Sequence, residues 1–250
     1  MIPLKSKAEI GFLRASAGIV SEILQSLGRE IRPGITTGEL DRLAGQMIRD
    51  RGGKPGPPEV GFPGNICVSV NNEVVHGVPG KRKLLAGDIV SIDVTASFGG
   101  YYGDITATFP VGGINEGAKR LLEVTKGALY EGISKAVCGN RLGDISHAIQ
   151  TYVESHGCSV VRDFVGHGIG KSMHEEPQIP NFGVPDRGPR LKTGMVLAIE
   201  PMVNLGDYKI DVLDDGWTAV TRDGNLSAHF EHTVAILETG PEILTYFDSN

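Results

Sequence analysis

The sequence predicts an α+β fold in which two halves repeat the order helix, helix, hairpin around an antiparallel sheet. In each half, two amphipathic helical patterns precede strand-like segments, and short matching segments recur at offsets of 105 and 107 residues. Hydrophobic residues make up 40% of the 250 residues, which suffices for one sizeable core, and no Ser-, Gln- or Pro-rich tract separates two domains. We therefore expect a single domain whose internal repeat spans approximately residues 1–112 and 113–250.

The helices of the first half begin at two capping boxes. Ser6 and Glu9 precede apolar residues at alternating steps of three and four, and Thr36 and Glu39 precede a second such pattern. The Pro- and Gly-rich residues 54–65 are expected to form a loop.

Strands are predicted at 66–70, 89–96 and 102–109, and Gly99-Gly100 is expected to form a two-residue hairpin turn. With that turn, Asp93 lies opposite Thr106, and Asp104 lies opposite Thr95. The two aspartates then share one face of the hairpin, with Cα atoms about 7 to 8 Å apart.

The second half repeats this order. Helical patterns cover 118–129 and 145–153, an apolar strand at 195–199 ends at Glu200, and a strand-like run at 228–234 contains Glu231 beyond an Asp223-Gly224 turn. The matching segments are Gly34-x-x-x-Gly38-Glu39-Leu40 with Gly139-x-x-x-Gly143-Asp144-Ile145, and residues 87–93 with 194–200. Chance similarity between glycine-rich turns and Val/Ile strands is the alternative, but both matched strands end in a carboxylate.

Four acids therefore lie on apolar strands: Asp93, Asp104, Glu200 and Glu231. Any one of them could instead cap a turn or pair with a basic residue, and Lys209 or Arg222 could serve one or two of them. In a largely buried sheet, unpaired carboxylates repel one another and resist ionising. As a group they indicate a bound cation.

Histidines add to this set. His167 lies between glycines that allow close backbone approach, His174 follows seven residues later, and His76 lies in a similar turn of the first half. A structural role is the alternative for each, and it is the one expected for His147 and His156. Two similar motifs fail: Val165 stands where a phosphate loop needs its first glycine, and Gln178 stands where a His-Glu-x-x-His motif needs its second histidine.

Composition excludes several classes of function. A net charge of −6 gives no electrostatic attraction to nucleic acid or an anionic membrane. The three cysteines form no Cys-x-x-Cys pair, which favours a reducing compartment over a disulfide framework. No apolar run approaches the roughly 20 residues of a membrane span. We expect a soluble cytoplasmic protein.

Seven motifs, spread over nearly the whole chain, resemble those of the type I methionine aminopeptidases, and the short N-terminal segment resembles the bacterial type. The motifs are Asn72-Glu73-Val74-Val75-His76-Gly77, Gly87-Asp88-Ile89-Val90-Ser91-Ile92-Asp93, Tyr102-Gly103-Asp104, Val165-Gly166-His167-Gly168-Ile169-Gly170, His174-Glu175-Glu176-Pro177, Ile199-Glu200-Pro201 and Phe230-Glu231-His232-Thr233. The resemblance implies the pita-bread fold, a pseudo-twofold duplication around a curved antiparallel sheet. It also implies removal of N-terminal methionine, preferentially before a small second residue.

The resemblance further assigns roles. It implies five metal ligands: Asp93, Asp104, His167, Glu200 and Glu231. These would bind two divalent ions per chain, drawn from Co²⁺, Mn²⁺, Fe²⁺ and Zn²⁺, and the hard oxygen donors favour the first three. A hydroxide bridging the ions would attack the methionyl carbonyl. The expected catalytic residues are Glu200 for proton transfer, His174 for the carbonyl oxygen and His76 for the scissile nitrogen.

Phe62, Cys67, Met173 and Trp217 are the candidate methionine pocket, with core packing as the alternative. Met173 departs from the aromatic residue common in the family at this place, so the pocket shape is open. The expected partners are Met-peptides and nascent chains at the ribosome, with the protein a monomer. Three rivals are weighed against this interpretation: a proline-specific peptidase of the same fold, a non-catalytic binding protein of that fold, which would lack some of the metal ligands, and a metal-free structural protein, which leaves the buried acids unexplained.

Overall fold

The computed structural model describes residues 2–247 and contains four α-helices where the periodicity predicts them. They are α1 (Lys7–Glu30), α2 (Thr37–Asp50), α3 (Glu116–Lys135) and α4 (Leu142–Ser155). Both predicted capping boxes form, so Ser6 and Thr36 each accept a hydrogen bond from the third residue of the helix they precede. None of the described helices is long and apolar enough to cross a membrane.

Fifteen strands complete the described chain. They are β1 (Lys54–Pro55), β2 (Cys67–Val70), β3 (Glu73–Val75), β4 (Ile89–Phe98), β5 (Tyr101–Pro110), β6 (Ser159–Val160), β7 (Val165–Gly168), β8 (Glu175–Pro180), β9 (Val196–Ile199), β10 (Met202–Asn204), β11 (Ile210–Val212), β12 (Ala219–Thr221), β13 (Ser227–His229), β14 (Glu231–Leu237) and β15 (Gly240–Ile243). The main antiparallel sheet runs β1-β4-β5-β14-β9-β7-β8, with β2 paired to β4 and β15 to β14. Two three-stranded sheets, β13-β10-β6 and β11-β12-β3, lie beside it.

The predicted register of the central hairpin is confirmed. Phe98 pairs with Tyr101 across the turn, Asp93 with Thr106, and Thr95 with Asp104. Gly99 and Gly100 both have positive φ, 59° and 84°, which a side chain would oppose and which the two-residue turn requires. Asp93 and Asp104 therefore share one face of the sheet.

Strand pairing extends this acidic face across the sheet. Thr106 of β5 pairs with Glu231 of β14, so Asp93, Thr106 and Glu231 form one row over three strands. The pairing of β14 with β9, continued by one residue, places Glu200 opposite Glu231. On the far side, β7 pairs with β9 so that His167 faces Ala198, two residues before Glu200. Residues from four strands and one strand end thus converge through register alone.

Helix α1 covers the opposite face of the hairpin. Gly103, which alternates with Asp104 along β5, lies so close to α1 that an added Cβ would come within 2.7 Å of the Ser16 backbone. Ser16 Oγ also lies within hydrogen-bonding distance of the carbonyl oxygens of Phe98 and Tyr101, 3.2 and 3.0 Å away. Buried apolar residues of all four helices and the main sheet form the large core behind this contact. The acidic face is left facing a cavity.

The segment 54–65 differs from its prediction as a loop. It contains β1, which pairs with β4 at Lys54 and Ser97, and a 3₁₀ helix at Pro57–Val60. The reason is the length of β4: β2 occupies its first half, and the backbone groups near its end are left free for β1.

The run 228–234 was predicted as one strand, and this is wrong. The chain leaves β13 at His229 and enters β14 at Glu231, with Phe230 between. Strand β13 pairs with β10, whereas β14 pairs with β9, and Pro201 separates those two partners. Because proline has no N–H, the hydrogen-bond ladder is interrupted at Pro201. The segment around Pro201 and the segment around Phe230 therefore pass between the main sheet and the β13-β10-β6 sheet at the same level.

The order helix, helix, strands recurs along the chain, with α1 and α2 before β4 and β5, and α3 and α4 before β9 and β14. The division into repeats at residues 112 and 113 stays a prediction.

Candidate metal centre and its cavity

Three of the predicted ligands lie closest together. One ligand atom each from Asp104, His167 and Glu231 lies within 4.8 Å of the other two. Glu200 is adjacent, with its Oε1 3.4 Å from His167 Nε2, and Asp104 Oδ2 lies 3.7 Å from the same nitrogen. Oxygen atoms from β5, β14 and the end of β9 therefore approach a single imidazole nitrogen of β7.

Asp93 joins this group through a shared threonine. Thr95 Oγ1 lies 2.6 Å from Asp104 Oδ1 and 3.4 Å from Asp93 Oδ1. On the other side, Thr106 Oγ1 donates to Glu231 Oε2 at 2.9 Å. Each threonine is the cross-strand partner of an aspartate, so the register that groups the acids also gives them hydrogen-bond donors.

The acids are held where ionisation is unfavourable. Burial raises the pKa of all four carboxyls above their usual values, and neighbouring carboxylates raise it further at Asp104, Glu200 and Glu231. Glu231 Oε1 is buried without a hydrogen-bond partner. Among the described residues that line the cavity there is no lysine or arginine to balance them. The donor set, four carboxylates and one imidazole, fits divalent cations that prefer oxygen ligands.

His167 has the geometry of a ligand. Its Nδ1 lies 2.9 Å from the carbonyl oxygen of Gly168, which assigns the hydrogen to Nδ1 and leaves the Nε2 lone pair facing the acids. Burial, together with His174, lowers the pKa of His167 to about 4, so the ring is neutral near pH 7.

The other two predicted histidines lie at the edge of this group. The His174 ring packs edge-on against His167, with centroids 4.4 Å apart, and burial lowers its pKa. His76 has a φ of 57° directly after β3 and packs edge-on against Phe164 at 5.2 Å. Burial lowers the pKa of His76 to about 4. Both rings are thus weak bases that can form hydrogen bonds while neutral.

All eleven predicted site residues line one cavity of about 730 Å³. The candidate pocket residues form its apolar part: Phe62 meets Trp217 edge-on at 5.4 Å, and Cys67 lies opposite Asp93 on the neighbouring strand. Phe62 and Cys67 are buried, whereas Met173 and Trp217 are partly exposed to the cavity. Burial raises the pKa of the Cys67 thiol, which keeps it a neutral apolar wall.

Sequence reasoning missed His229, which also lines the cavity and is buried. It stands two residues before Glu231, and period-two alternation could have placed both on one face. It also missed Thr95 and Thr106 as partners of the acids, although their positions follow from the hairpin register. Phe164, which packs on His76, gave no local signal.

The residues considered as alternatives lie elsewhere. His147 is exposed on α4, and His156 caps the end of that helix. Lys209 pairs with Asp207, and Arg222 pairs with Asp211, so neither neutralises a carboxylate of the candidate centre.

Comparison with known proteins identifies the family. The model of metallopeptidase family M24 matches residues 11–238. A methionine aminopeptidase of Clostridium perfringens is 55% identical over 98% of this chain and 99% of its own length. The crystal structure of methionine aminopeptidase from Rickettsia prowazekii superposes with a TM-score of 0.97 at 42% identity, covering 98% of this chain and 100% of that one.

A more distant likeness concerns the fold alone. The prolidase from Pyrococcus horikoshii superposes with a TM-score of 0.77 at 22% identity, covering 99% of this chain and 64% of that one. The pita-bread fold predicted by resemblance is confirmed by the close structural matches. The chain therefore belongs to metallopeptidase family M24 and, within it, to the bacterial methionine aminopeptidases.

Proposed function

We propose that this chain is a metalloaminopeptidase that removes the N-terminal methionine from peptides and nascent proteins, preferentially when the second residue is small. The observation that carries the proposal is the meeting of four carboxylates and a neutral imidazole in one cavity, beside an apolar pocket. The family and the 55% identical relative support the same activity.

The proposed ligands are Asp93, Asp104, His167, Glu200 and Glu231, and the proposed load is two divalent ions. Divalent ions bound there supply Lewis acidity and lower the pKa of water. Their charge of +4 offsets the four carboxylates, whose raised pKa values mark an unbalanced site. Oxygen donors favour Mn²⁺, Fe²⁺ or Co²⁺.

The protein's own groups divide the remaining tasks. We assign proton transfer to Glu200, whose carboxylate borders the cavity next to His167. His174 is assigned to the substrate carbonyl oxygen, and His76 to the scissile nitrogen. His76 suits a fixed contact, since Thr218 Oγ1 lies 3.4 Å from its carbonyl oxygen and the ring rests on Phe164.

The methionine side chain is assigned to the wall formed by Phe62, Cys67, Met173 and Trp217. Aromatic rings and sulfur atoms suit a flexible thioether, since sulfur–aromatic contacts are favourable. The edge-on pair of Phe62 and Trp217 gives this wall a fixed shape without demanding a polar partner. Nascent chains at the ribosome are the proposed natural substrate, and we propose a monomer in the cytoplasm.

A proline-specific peptidase is the second candidate, because a prolidase shares the fold. The prolidase chain is longer, and this chain covers 64% of it. No pocket residue named above distinguishes the two activities by itself, so substrates must decide.

The test is turnover of Met-Ala-Ser after chelation and after addition of Mn²⁺ or Co²⁺, with metal analysis of the protein. We expect chelation to abolish methionine release and added metal to restore it. Met-Leu-Ser serves as the large-residue control and a Xaa-Pro peptide as the rival substrate. Equal turnover of the Xaa-Pro peptide would favour the rival, and full activity without metal would overturn the metal-dependent mechanism.

A further inference from the structure

The roles assigned above leave His229 unused, although it lies inside the site. The residue is 3% exposed and lines the cavity, and its Nε2 is buried without a hydrogen-bond partner. The nearest acid is Glu200, whose Oε2 lies 3.6 Å from that nitrogen. A buried polar atom without a partner is costly, so a functional partner is expected.

The two oxygens of Glu200 face different histidines. Oε1 lies 3.4 Å from His167 Nε2, and Oε2 lies 3.6 Å from His229 Nε2. The Nδ1 of His167 faces the Gly168 carbonyl, so its Nε2 carries a lone pair rather than a hydrogen. Of the two rings, only His229 can therefore offer an N–H to this carboxylate.

The backbone of His229 is held firmly. Its N–H donates to Thr108 Oγ1 at 2.9 Å, and its carbonyl oxygen lies 2.8 Å from the same oxygen. The residue also pairs with Met202 at the end of β13. Glu200 follows the last residue of β9, and its carbonyl oxygen accepts a hydrogen bond from Asn181 Nδ2 at 3.1 Å, so both backbones are held and any closer approach falls to the side chains.

We propose that His229 is a positioning residue: its Nε2–H donates to Glu200 Oε2 and thereby turns Oε1 towards the metal-binding group. This inference rests on the proposed function. The contact requires Glu200 to move by a few tenths of an ångström, and such contacts commonly tighten only when a site is loaded. Neutral and protonated imidazole can both carry a hydrogen on Nε2, so the contact does not depend on titration.

Two variants of similar volume test the role. His229→Gln keeps an N–H of similar reach, and His229→Met removes it. Calorimetric titration of the metal-free protein with Mn²⁺ gives the affinity, and hydrolysis of Met-Ala-Ser at saturating Mn²⁺ gives kcat and KM. We expect His229→Met to weaken Mn²⁺ binding and to lower kcat, each by about tenfold, without changing KM. His229→Gln should stay within about threefold of the wild type in both measurements.

The thermal unfolding midpoints of the metal-free variants separate a positioning role from a purely structural one. A purely structural role would lower the unfolding midpoint in parallel with kcat. Should His229→Met not fold, His229→Asn repeats the comparison with an amide that is one methylene shorter. Wild-type affinity and kcat in His229→Met, or a raised KM alone, would overturn the proposal. Loss of one Mn²⁺ per chain in both variants would also overturn it, since His229 would then be a ligand. Absence of Mn²⁺ binding by the wild type would instead overturn the proposed function.

Discussion

The cavity has two walls that are built differently. On the acidic wall, Asp93, Asp104 and Glu231 stand on β4, β5 and β14, whose hydrogen-bonded register sets the spacing of the side chains. On the apolar wall, Phe62 and Trp217 stand on segments between strands. The proposed metal ligands thus lie on or at the end of rigid strands, whereas the residues assigned to the flexible methionine side chain lie on loops, except for Cys67 of β2.

The two walls also differ in energy. The acidic wall holds like charges in a buried place, which opposes folding unless a cation is bound. The apolar wall gains from burial and ring contacts, as for Phe62, which is 4% exposed. Substitutions on the first wall should therefore change metal binding and turnover, and those on the second should change substrate affinity.

The largest effect is expected for Glu231→Gln, which keeps the shape of the acidic wall and removes one charge. If Glu231 is a ligand as proposed, loss of its carboxylate should lower Mn²⁺ occupancy and reduce kcat about 1000-fold, because several kcal/mol of transition-state stabilisation would depend on bound metal. Metal analysis and Met-Ala-Ser hydrolysis measure this. Glu242→Gln, which alters a surface partner of Arg14, is the matched control and should leave both unchanged.

In the metal-free protein, Glu231→Gln is expected to be favourable, because it should raise the free energy of unfolding. Burial and neighbouring acids raise the pKa of Glu231 above its usual value of 4.5. A carboxyl whose folded-state pKa is raised supports folding below the unfolded pKa and loses that contribution as pH rises through the folded pKa. In EDTA, urea unfolding should therefore show Glu231→Gln becoming more stable than the wild type as the pH increases above about 4.5. An equal difference in the free energy of unfolding between variant and wild type at pH 4 and pH 8 would contradict this prediction.

His174→Ala tests whether a loop residue can serve the chemistry. His174 stands in the bend before β8, yet its ring touches that of His167 on the sheet. Removing the proposed donor to the substrate carbonyl oxygen should lower kcat about 100-fold while metal content stays unchanged. His147→Ala on α4 is the control. Loss of metal in His174→Ala would place this residue among the ligands and break the division between the walls.

Trp217→Leu addresses the apolar wall directly. Replacing the indole ring by the smaller leucine side chain removes the edge-on contact with Phe62 and part of the surface assigned to the methionine side chain. We expect KM for Met-Ala-Ser to rise about tenfold with kcat and metal content nearly unchanged, since pocket contacts bind ground state and transition state alike. Phe12→Leu, an exposed aromatic on α1, is the matched control. A fall in kcat alone would show that Trp217 acts on the chemistry.

The residues of the acidic wall could be placed from local sequence patterns, whereas those of the apolar wall came mainly from the resemblance, and the difference has a physical reason. The turn at Gly99-Gly100 determines the register of β4 and β5 within a few residues, so Asp93 and Asp104 could be paired by alternation. The ends of the helices were predictable from local capping boxes. The fold as a whole was predictable through motif resemblance, because the motifs cover nearly the whole chain.

What could not be predicted depends on contacts between distant segments. The break at Phe230 follows from Pro201, which separates the neighbouring strands β9 and β10, and neither residue alone indicates it. The 3₁₀ helix at Pro57–Val60 depends on β1 finding a free edge of β4. Alternation could have placed His229 on the face of Glu231, but its distance of 3.6 Å to Glu200 is defined only by the folded chain.

The smallest effect on turnover is expected for Lys5→Met, which tests how the loop that carries Met173 and His174 is held. Lys5 Nζ lies 2.5 Å from Glu175 Oε2, with side chains 6% and 14% exposed, and Glu175 Oε1 accepts hydrogen bonds from the Lys171 and Ser172 backbone. The variant leaves a buried carboxylate without its cation, so it should lower the free energy of unfolding by about 3 kcal/mol. Since the backbone bonds remain, we expect kcat/KM to fall only about threefold, consistent with a loop that loosens without unfolding.

Lys119→Met removes an exposed ion pair of similar length, 2.6 Å to Glu116, and should cost less than about 1 kcal/mol. Equal losses of stability in the two variants would mean that burial adds nothing to the Lys5 pair, and an unchanged kcat/KM would mean that other contacts hold His174 in place.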